Sequence, residues 1–252
     1  MKVAAVILAR MGSTRLERKV LRELCGMPLV AHVIKRACAF PGLDGEVPIL
    51  AIPRSSENDE LEDVGRRCGA RVFRGDENNV LERLLLAAVE KGADVVYRVT
   101  ADNPLVDPGV ASLTWEAFID GEWDYAVMEG VPLGTTCEIV TTKALSEAQK
   151  FAVTPHLKEH PTLALYENSR LFKMKLVNPP SRWAHPEWRL TVDTEQDFKL
   201  VERIMGEVGI DATLDEIVPF LESNPELVEM NLSVEQRGWD ELQARKRAIH
   251  GS

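Results

Sequence analysis

Residues Val3 to Leu21 read VAAVILARMGSTRLERKVL. The apolar run Val3–Leu8 has the length and composition of a buried strand. It empties into a turn that carries Arg10, Gly12, Ser13, Arg15 and Lys19. Gly12 lets backbone N–H groups approach an anion, Ser13 adds a donor, and the three cations offset phosphate charge. The segment contains neither GxxxxGK[ST] nor GxGxxG, the two common phosphate fingerprints. What remains is a strand-to-helix loop rich in Arg and Lys, suited to a nucleoside triphosphate. A basic turn with solvated side chains is the alternative, and this loop alone favours phosphate only modestly.

Outward from this loop, strand-like runs alternate with helical patterns. Helices are expected around Pro28–Phe40, Asn58–Cys68 and Val80–Lys91, and strands at Pro48–Ile52, Arg71–Phe73 and Asp94–Val99. That alternation implies an α/β fold, a mostly parallel sheet flanked by helices and built from right-handed crossovers. Ligands in such sheets gather at the carboxyl ends of the strands. Further on, strands are expected at Asp124–Met128, Cys137–Thr141, Phe172–Val177 and Arg189–Val192. Helices are expected at Lys143–Phe151, Thr154–Asn168 and Thr194–Val208. A domain over 1–208 and a helical C-terminal tail over 209–252, with Leu214–Leu221 and Trp239–Ala248 helical, complete the expectation. Residues 124–190 would hold the acceptor or dimer region.

The chain has 252 residues, of which 45% are hydrophobic, enough for a substantial core. Its longest apolar run is too short to span a bilayer, so no membrane partner is expected. Its start shows no leader pattern, which gives a cytoplasmic location as the expectation. The net charge of −10 argues against a general nucleic-acid binder. Cys25, Cys38, Cys68 and Cys137 lie far apart, without a CxxC pair, and read as reduced, mostly buried small residues.

Two acidic positions follow strands. Asp102, in Arg98-Val99-Thr100-Ala101-Asp102-Asn103-Pro104, sits just past a strand end, with Arg98 and Thr100 sharing one face. A carboxylate there suits Mg²⁺, which takes one or two carboxylates plus phosphate oxygens. An Asx-turn aspartate is an equal alternative from the residues alone. Asp193 likewise ends RLTV ahead of a helix. Helix-dipole preference explains Glu195 and Asp197 but explains Asp193 less well. The two metal carboxylates are therefore expected to be Asp102 and Asp193, with Asp197 as a capping or supporting group.

Four stretches together resemble the cytidylyltransferases, specifically the spore coat polysaccharide biosynthesis protein F family, related to the CMP-sialic acid and CMP-KDO synthetases. They are LARMGSTRLERKVL (Leu8–Leu21), VFRGDENNVLERLLLAA (Val72–Ala88), YRVTADNPLVDP (Tyr97–Pro108) and RLTVDTEQDFKLVERI (Arg189–Ile204). The resemblance implies a Rossmann-like nucleotidyltransferase fold, CTP with Mg²⁺, and release of pyrophosphate. It implies that Arg10, Gly12, Ser13, Arg15 and Lys19 take the triphosphate and that Asp102 and Asp193 take the metal. Arg83 and Arg98 would line the nucleotide side, with Leu8 and Ala9 at the strand end. Arg15, Lys19, Asp102 and Asp193 would form the catalytic set, and a homodimer is expected.

The acceptor side is set by fewer residues. Glu138, after the Gly134-Thr135-Thr136 turn, matches a family glutamate beside the acceptor. Where relatives tend to read HVTPYIYEN, this chain reads His160-Pro161-Thr162-Leu163-Ala164-Leu165-Tyr166-Glu167-Asn168. The departure implies a small acceptor other than unmodified sialic acid or KDO, either another acidic sugar or a phosphorylated or phosphonate alcohol. His156, His160, Glu138 and Arg189 are its candidate contacts. Trp183, His185 and Trp188 lie in a Pro-rich loop and read as packing in preference to an acceptor pocket, and Arg66-Arg67 as a solvated helix face. Two rival readings stand: a glycosyltransferase of related fold, which the absence of a DxD motif disfavours, and a catalytically silent nucleotide-binding module.

Overall fold

A seven-stranded sheet forms the spine of the protein, as seen in a computed structural model that describes residues 1–13 and 15–234. The elements begin with β1 (Val3–Leu8), a small hairpin of β2 (Glu23–Leu24) and β3 (Met27–Pro28), and α1 (Leu29–Ala37). There follow β4 (Ile49–Pro53), α2 (Asp59–Arg67), β5 (Arg71–Gly75), α3 (Val80–Lys91), β6 (Val95–Thr100) and α4 (Pro108–Ile119). Then come β7 (Tyr125–Met128), β8 (Glu138–Thr141), α5 (Thr142–Ala148), α6 (Pro155–Glu159), α7 (Leu163–Glu167) and β9 (Met174–Val177). Helices α8 (Glu195–Val208), α9 (Leu214–Ser223) and α10 (Pro225–Glu229) end the described chain.

The strand order is β5-β4-β1-β6-β8-β7-β9. β1 pairs in parallel with both β4 and β6, while β8 runs antiparallel between β6 and β7. All six residues of β1 are buried. Val3, Ala5 and Ile7 pack into one core with α1, α2, α4, α8 and α9. Ala4, Val6 and Leu8 pack into a second core on the opposite face with α3, α5, α6 and α7. A strand buried on both faces explains why it reads as an unbroken apolar run. Because β4 and β6 leave β1 on opposite sides, the sheet reverses its winding direction at β1. The crevice beyond the carboxyl ends of β1 and β6 is the place where such sheets take ligands.

Several expectations need correction. The loop after β1 does not run into a long helix. A single 3₁₀ turn at Lys19–Leu21 and the β2–β3 hairpin intervene before α1. Cys25 and Gly26 both take positive φ at the hairpin tip, the geometry a two-residue turn demands. The expected helix Thr154–Asn168 is split into α6 and α7 at His160-Pro161, since the residue before a proline is pushed out of the helical region. Arg189–Val192 is buried but is not a sheet strand. One bridge joins Leu133 to Arg189, and the Val192 N–H donates to the Asp102 carbonyl at 2.9 Å. The segment threads between two loops, whose carbonyls take the bonds that a neighbouring strand would have supplied. The cysteines are not mostly buried: only Cys137 is, while Cys25 and Cys68 are half-buried and Cys38 is exposed. Trp239–Ala248 lies outside the described residues.

Candidate functional site

The Ala101 N–H donates to the Leu8 carbonyl at 2.9 Å, so the loops leaving β1 and β6 are tied together at their roots. The β1 loop is also pinned from the side. Asn58, buried at the start of α2, accepts from the Met11 N–H at 3.0 Å, and its own amide donates to Ser55 Oγ at 2.9 Å. Sequence reading passed over Asn58. Its place in the polar stretch Ser55–Asn58 ahead of a helix was the available signal. Gly134 does comparable work on the second acidic site. At φ +98° it lets the loop approach so closely that a Cβ would lie 2.5 Å from the Thr191 nitrogen. This close approach brings the segment carrying Asp193 against the end of β6.

The result is a cleft of about 600 Å³. Leu8, Ala9, Arg10, Gly12, Ser13, Arg15 and Lys19 line it from the β1 side. Thr100, Ala101 and Asp102 line it from β6, Arg83 from α3, and Asp193 from the segment before α8. His156, Glu159 and His160 close it from α6, and Arg98 reaches it from within the sheet. A Cβ on Gly12 would meet nothing within 4 Å, so this glycine leaves open space at the cleft wall. The expected nucleotide set therefore shares one cavity with both carboxylates and both histidines.

Lys19 holds the centre. Its Nζ donates to Asp102 Oδ2 at 2.8 Å, to Asp193 Oδ1 at 2.7 Å and to the Val192 carbonyl at 3.0 Å. Burial pulls the Lys19 pKa down, but the charges and hydrogen bonds of the two aspartates outweigh it and leave the amine more basic than usual. For Asp193 burial acts to raise the pKa, and Lys19, Arg15 and Arg189 reverse that and hold it below the usual carboxylate range. Lys19 was expected to face phosphate directly. In this structure its ammonium bridges the two carboxylates at the cleft wall.

Arg83 is nearly fully buried. Its Nη1 donates to the carbonyls of Asp76 and Glu77, and its Nε has no hydrogen-bond partner among the described residues. Burial and the nearby Arg10 charge lower its pKa to about 10. A buried cation answered by backbone carbonyls, beside a second arginine, gains most from an anionic ligand.

Two expected acceptor contacts lie outside the cleft lining. Glu138, on β8, accepts from Arg98 at 3.0 Å, from the Tyr125 hydroxyl at 2.7 Å and from Thr162 at 3.1 Å. Tyr166 donates to the Tyr125 hydroxyl at 2.8 Å, extending this chain into the core. Glu138 therefore aims Arg98 and does not line the cavity itself. Arg189 is buried behind the site, donating to Asp197 Oδ1 at 2.8 Å and to Asp193 Oδ2 at 2.6 Å. Asp197 also closes a capping box with Thr194, which starts α8. His156 and His160 stand edge to face, 4.7 Å between ring centres. Burial, then the charge of His156, lowers the His160 pKa, and Arg98 lowers it further. Trp183 packs in the core and donates to Asp215, while His185 stacks on Trp188 at 3.8 Å, as expected for loop packing. Arg66 pairs with Glu62 on its exposed helix face.

The donor chemistry fits one hard divalent cation. Two carboxylates from separate elements already converge on a single positive centre. Among the described residues no group of three His, Cys, Asp or Glu forms a metal cage. Mg²⁺ needs no such cage, since substrate phosphates and water complete its shell.

Comparisons with known proteins bear on the family and the fold. A family model described as cytidylyltransferase matches residues 4–237. The spore coat polysaccharide biosynthesis protein SpsF of Bacillus subtilis is 32% identical over 227 residues, covering 88% of this chain and 94% of its own. A solved cytidylyltransferase structure from Leptospira borgpetersenii superposes with a TM-score of 0.82 at 24% identity, covering 90% of this chain and 97% of that one. The structure of CMP:2-keto-3-deoxy-manno-octonic acid synthetase complexed with CTP superposes with a TM-score of 0.62 at 18% identity, over 82% of this chain and 99% of that one. At these identities the two structures speak for the fold.

Proposed function

The chain belongs to the cytidylyltransferase family, and on that premise we propose that it transfers CMP from CTP to an acidic sugar or related small acceptor, with Mg²⁺ and release of pyrophosphate. The observation that carries this reading is the meeting of Asp102 and Asp193 with Arg10, Arg15 and Lys19 in one cleft at the strand ends. The SpsF relative's name places that protein in polysaccharide biosynthesis, which supports a sugar-like acceptor here. No helix among the described residues is long and apolar enough to cross a membrane. A cytoplasmic location and a homodimer belong to the same proposal.

An acceptor oxygen attacks the α-phosphorus of CTP. One phosphorus–oxygen bond forms as the bond to the β-phosphate oxygen breaks, and pyrophosphate leaves. Such a transfer needs in-line placement and cancellation of charge more than covalent help. Mg²⁺ held by Asp102 and Asp193 would supply Lewis acidity at the phosphate oxygens. Lys19 and Arg15, with Arg10, would hold the β- and γ-phosphates, and Arg83 would answer a further charge on the nucleotide side. His156 and His160 line the cleft beside α6, where neutral or positive donors suit an acidic acceptor. Arg98 reaches the cleft from the sheet and is held there by Glu138, itself fixed by Tyr125 and Thr162.

The test is CTP-dependent pyrophosphate release across a panel of acidic sugars and small phosphorylated or phosphonate alcohols, with mass measurement of the CMP adduct. Release should require both an acceptor and Mg²⁺. Asp102→Asn should lower the rate by roughly 10²–10³. No release with any acceptor would remove the proposal, and normal turnover of Asp102→Asn would remove the metal assignment. Unmodified sialic acid and KDO are expected to be poor acceptors, given the break at His160-Pro161.

A further inference from the structure

We propose that Lys19 is a built-in substitute for the divalent cation, holding Asp102 and Asp193 together until metal binding drives its ammonium onto the triphosphate. This inference rests on reading the two aspartates as the metal carboxylates.

An ammonium has three donors, and Lys19 uses each of them: Asp102 Oδ2 at 2.8 Å, Asp193 Oδ1 at 2.7 Å and the Val192 carbonyl at 3.0 Å. Its side chain is only 12% exposed. The second oxygen of Asp193 is taken by Arg15 at 3.0 Å and Arg189 at 2.6 Å, so Oδ1 is the atom turned to the shared position. Asp102 and Asp193 come from different elements, and two carboxylates brought this close repel each other unless a cation lies between them. Lys19 supplies that cation from within the chain.

The ammonium and a metal ion cannot share the position. Mg²⁺ requires its carboxylate oxygens at about 2.0–2.1 Å, closer than any nitrogen donor can stand to those same atoms. A bound metal therefore takes over the Lys19 contacts with both carboxylates at once. The displaced ammonium stays beside Arg10 and Arg15 in a cleft that then holds an excess of cations. The β- and γ-phosphates provide the acceptors it has lost. Metal and triphosphate should accordingly favour one another's binding, and the coupling must be reciprocal. A lysine with only a structural role would behave in the opposite way, since its removal would loosen the carboxylates and weaken metal binding.

The experiment titrates the nucleotide-free, full-length protein with Mn²⁺ and follows free Mn²⁺ by electron paramagnetic resonance. Lys19→Met and Lys19→Gln should each bind Mn²⁺ about tenfold tighter than the unaltered protein, within the span usual for coupled sites. Adding Asp102→Asn to Lys19→Met should abolish the gain. A second measurement needs no lysine variant. Acetylation of the unaltered protein, read by mass spectrometry, should modify Lys19 several-fold faster when Mg²⁺ is added without CTP, with Lys35 as the internal reference. Equal or weaker Mn²⁺ binding by both variants, or Lys19 labelling indifferent to Mg²⁺, would overturn the proposal. Pyrophosphate release by Asp102→Asn separates the two readings. If that variant is inactive and the lysine tests fail, only the substitution mechanism falls. If it turns over normally, the metal assignment falls and takes the mechanism with it.

Discussion

Replacing Asp197 with alanine tests how the site is supported from behind. The Asp197 carboxylate is fully buried and accepts from Arg189 Nε at 2.8 Å and Nη2 at 3.3 Å, from the Asp193 and Thr194 N–H groups at 3.0 and 2.9 Å, from Thr194 Oγ1 at 2.9 Å and from Asn231 Nδ2 at 2.8 Å. Alanine leaves the buried Arg189 guanidinium with Asp193 alone and removes half of the capping box that starts α8. Breaking a buried ion pair by deleting one partner costs about 3–5 kcal/mol. Losing a cap adds about 1 kcal/mol, though neighbouring terms do not sum fully. A loss of about 4 kcal/mol is expected, a large share of the roughly 5–15 kcal/mol that stabilises a domain. In a chain of this length that is on the order of 10 °C in Tm. Urea unfolding followed by tryptophan fluorescence measures it. Asp197→Asn keeps the shape but turns an amide NH₂ toward buried donors and removes the charge that faces Arg189, and should lose a comparable amount. A loss below about 1 kcal/mol for Asp197→Ala would refute the claim that this carboxylate balances Arg189 and shapes the Asp193 segment.

Arg15→Ala should reduce CTP turnover by roughly 10²–10³, whereas Arg67→Ala on the outer face of α2 should leave it unchanged; equal kinetics would remove the β1 loop from the site. Gly134→Ala should destabilise by about 2 kcal/mol and raise the metal requirement, because the added Cβ collides with the Thr191 backbone; thermal unfolding and a Mg²⁺ titration of turnover check this. Stability should also depend on pH near neutrality. His32 and His160 have folded-state pKa values below the ordinary histidine value, chiefly through burial, so the unfolded chain binds more protons as pH falls through about 6.5. Their contribution is present above that value and declines below it, and His160→Gln should flatten the slope of unfolding free energy against pH between about 7 and 6.

Most strands of the sheet and most of the cleft lining were legible in the order of the residues. The strands at Val3–Leu8 and Ile49–Pro53 were legible because burial on both faces leaves an unbroken apolar run, while Val95–Thr100 carries the half-buried Arg98 and Thr100 among its apolar residues. Helix α3 was legible to the residue, since Asn79 caps its start and Gly92 ends it in the left-handed region. The cleft-lining side chains followed, because a parallel sheet presents what comes after β1 and β6 at one edge. What the tertiary structure decided was how those charges are spent. Arg189 looked available for an acceptor, yet it is committed to Asp197, a partner that also caps α8. Glu138 looked like a contact and instead orients Arg98. Lys19 read as a phosphate ligand, and the structure adds its bridge between two aspartates that lie 83 and 174 positions away in the chain. Periodicity and local spacing report which face of an element is buried. An ion pair across such separations depends on where two loops meet, and that is set by Gly134, Asn58 and the packing of the whole sheet.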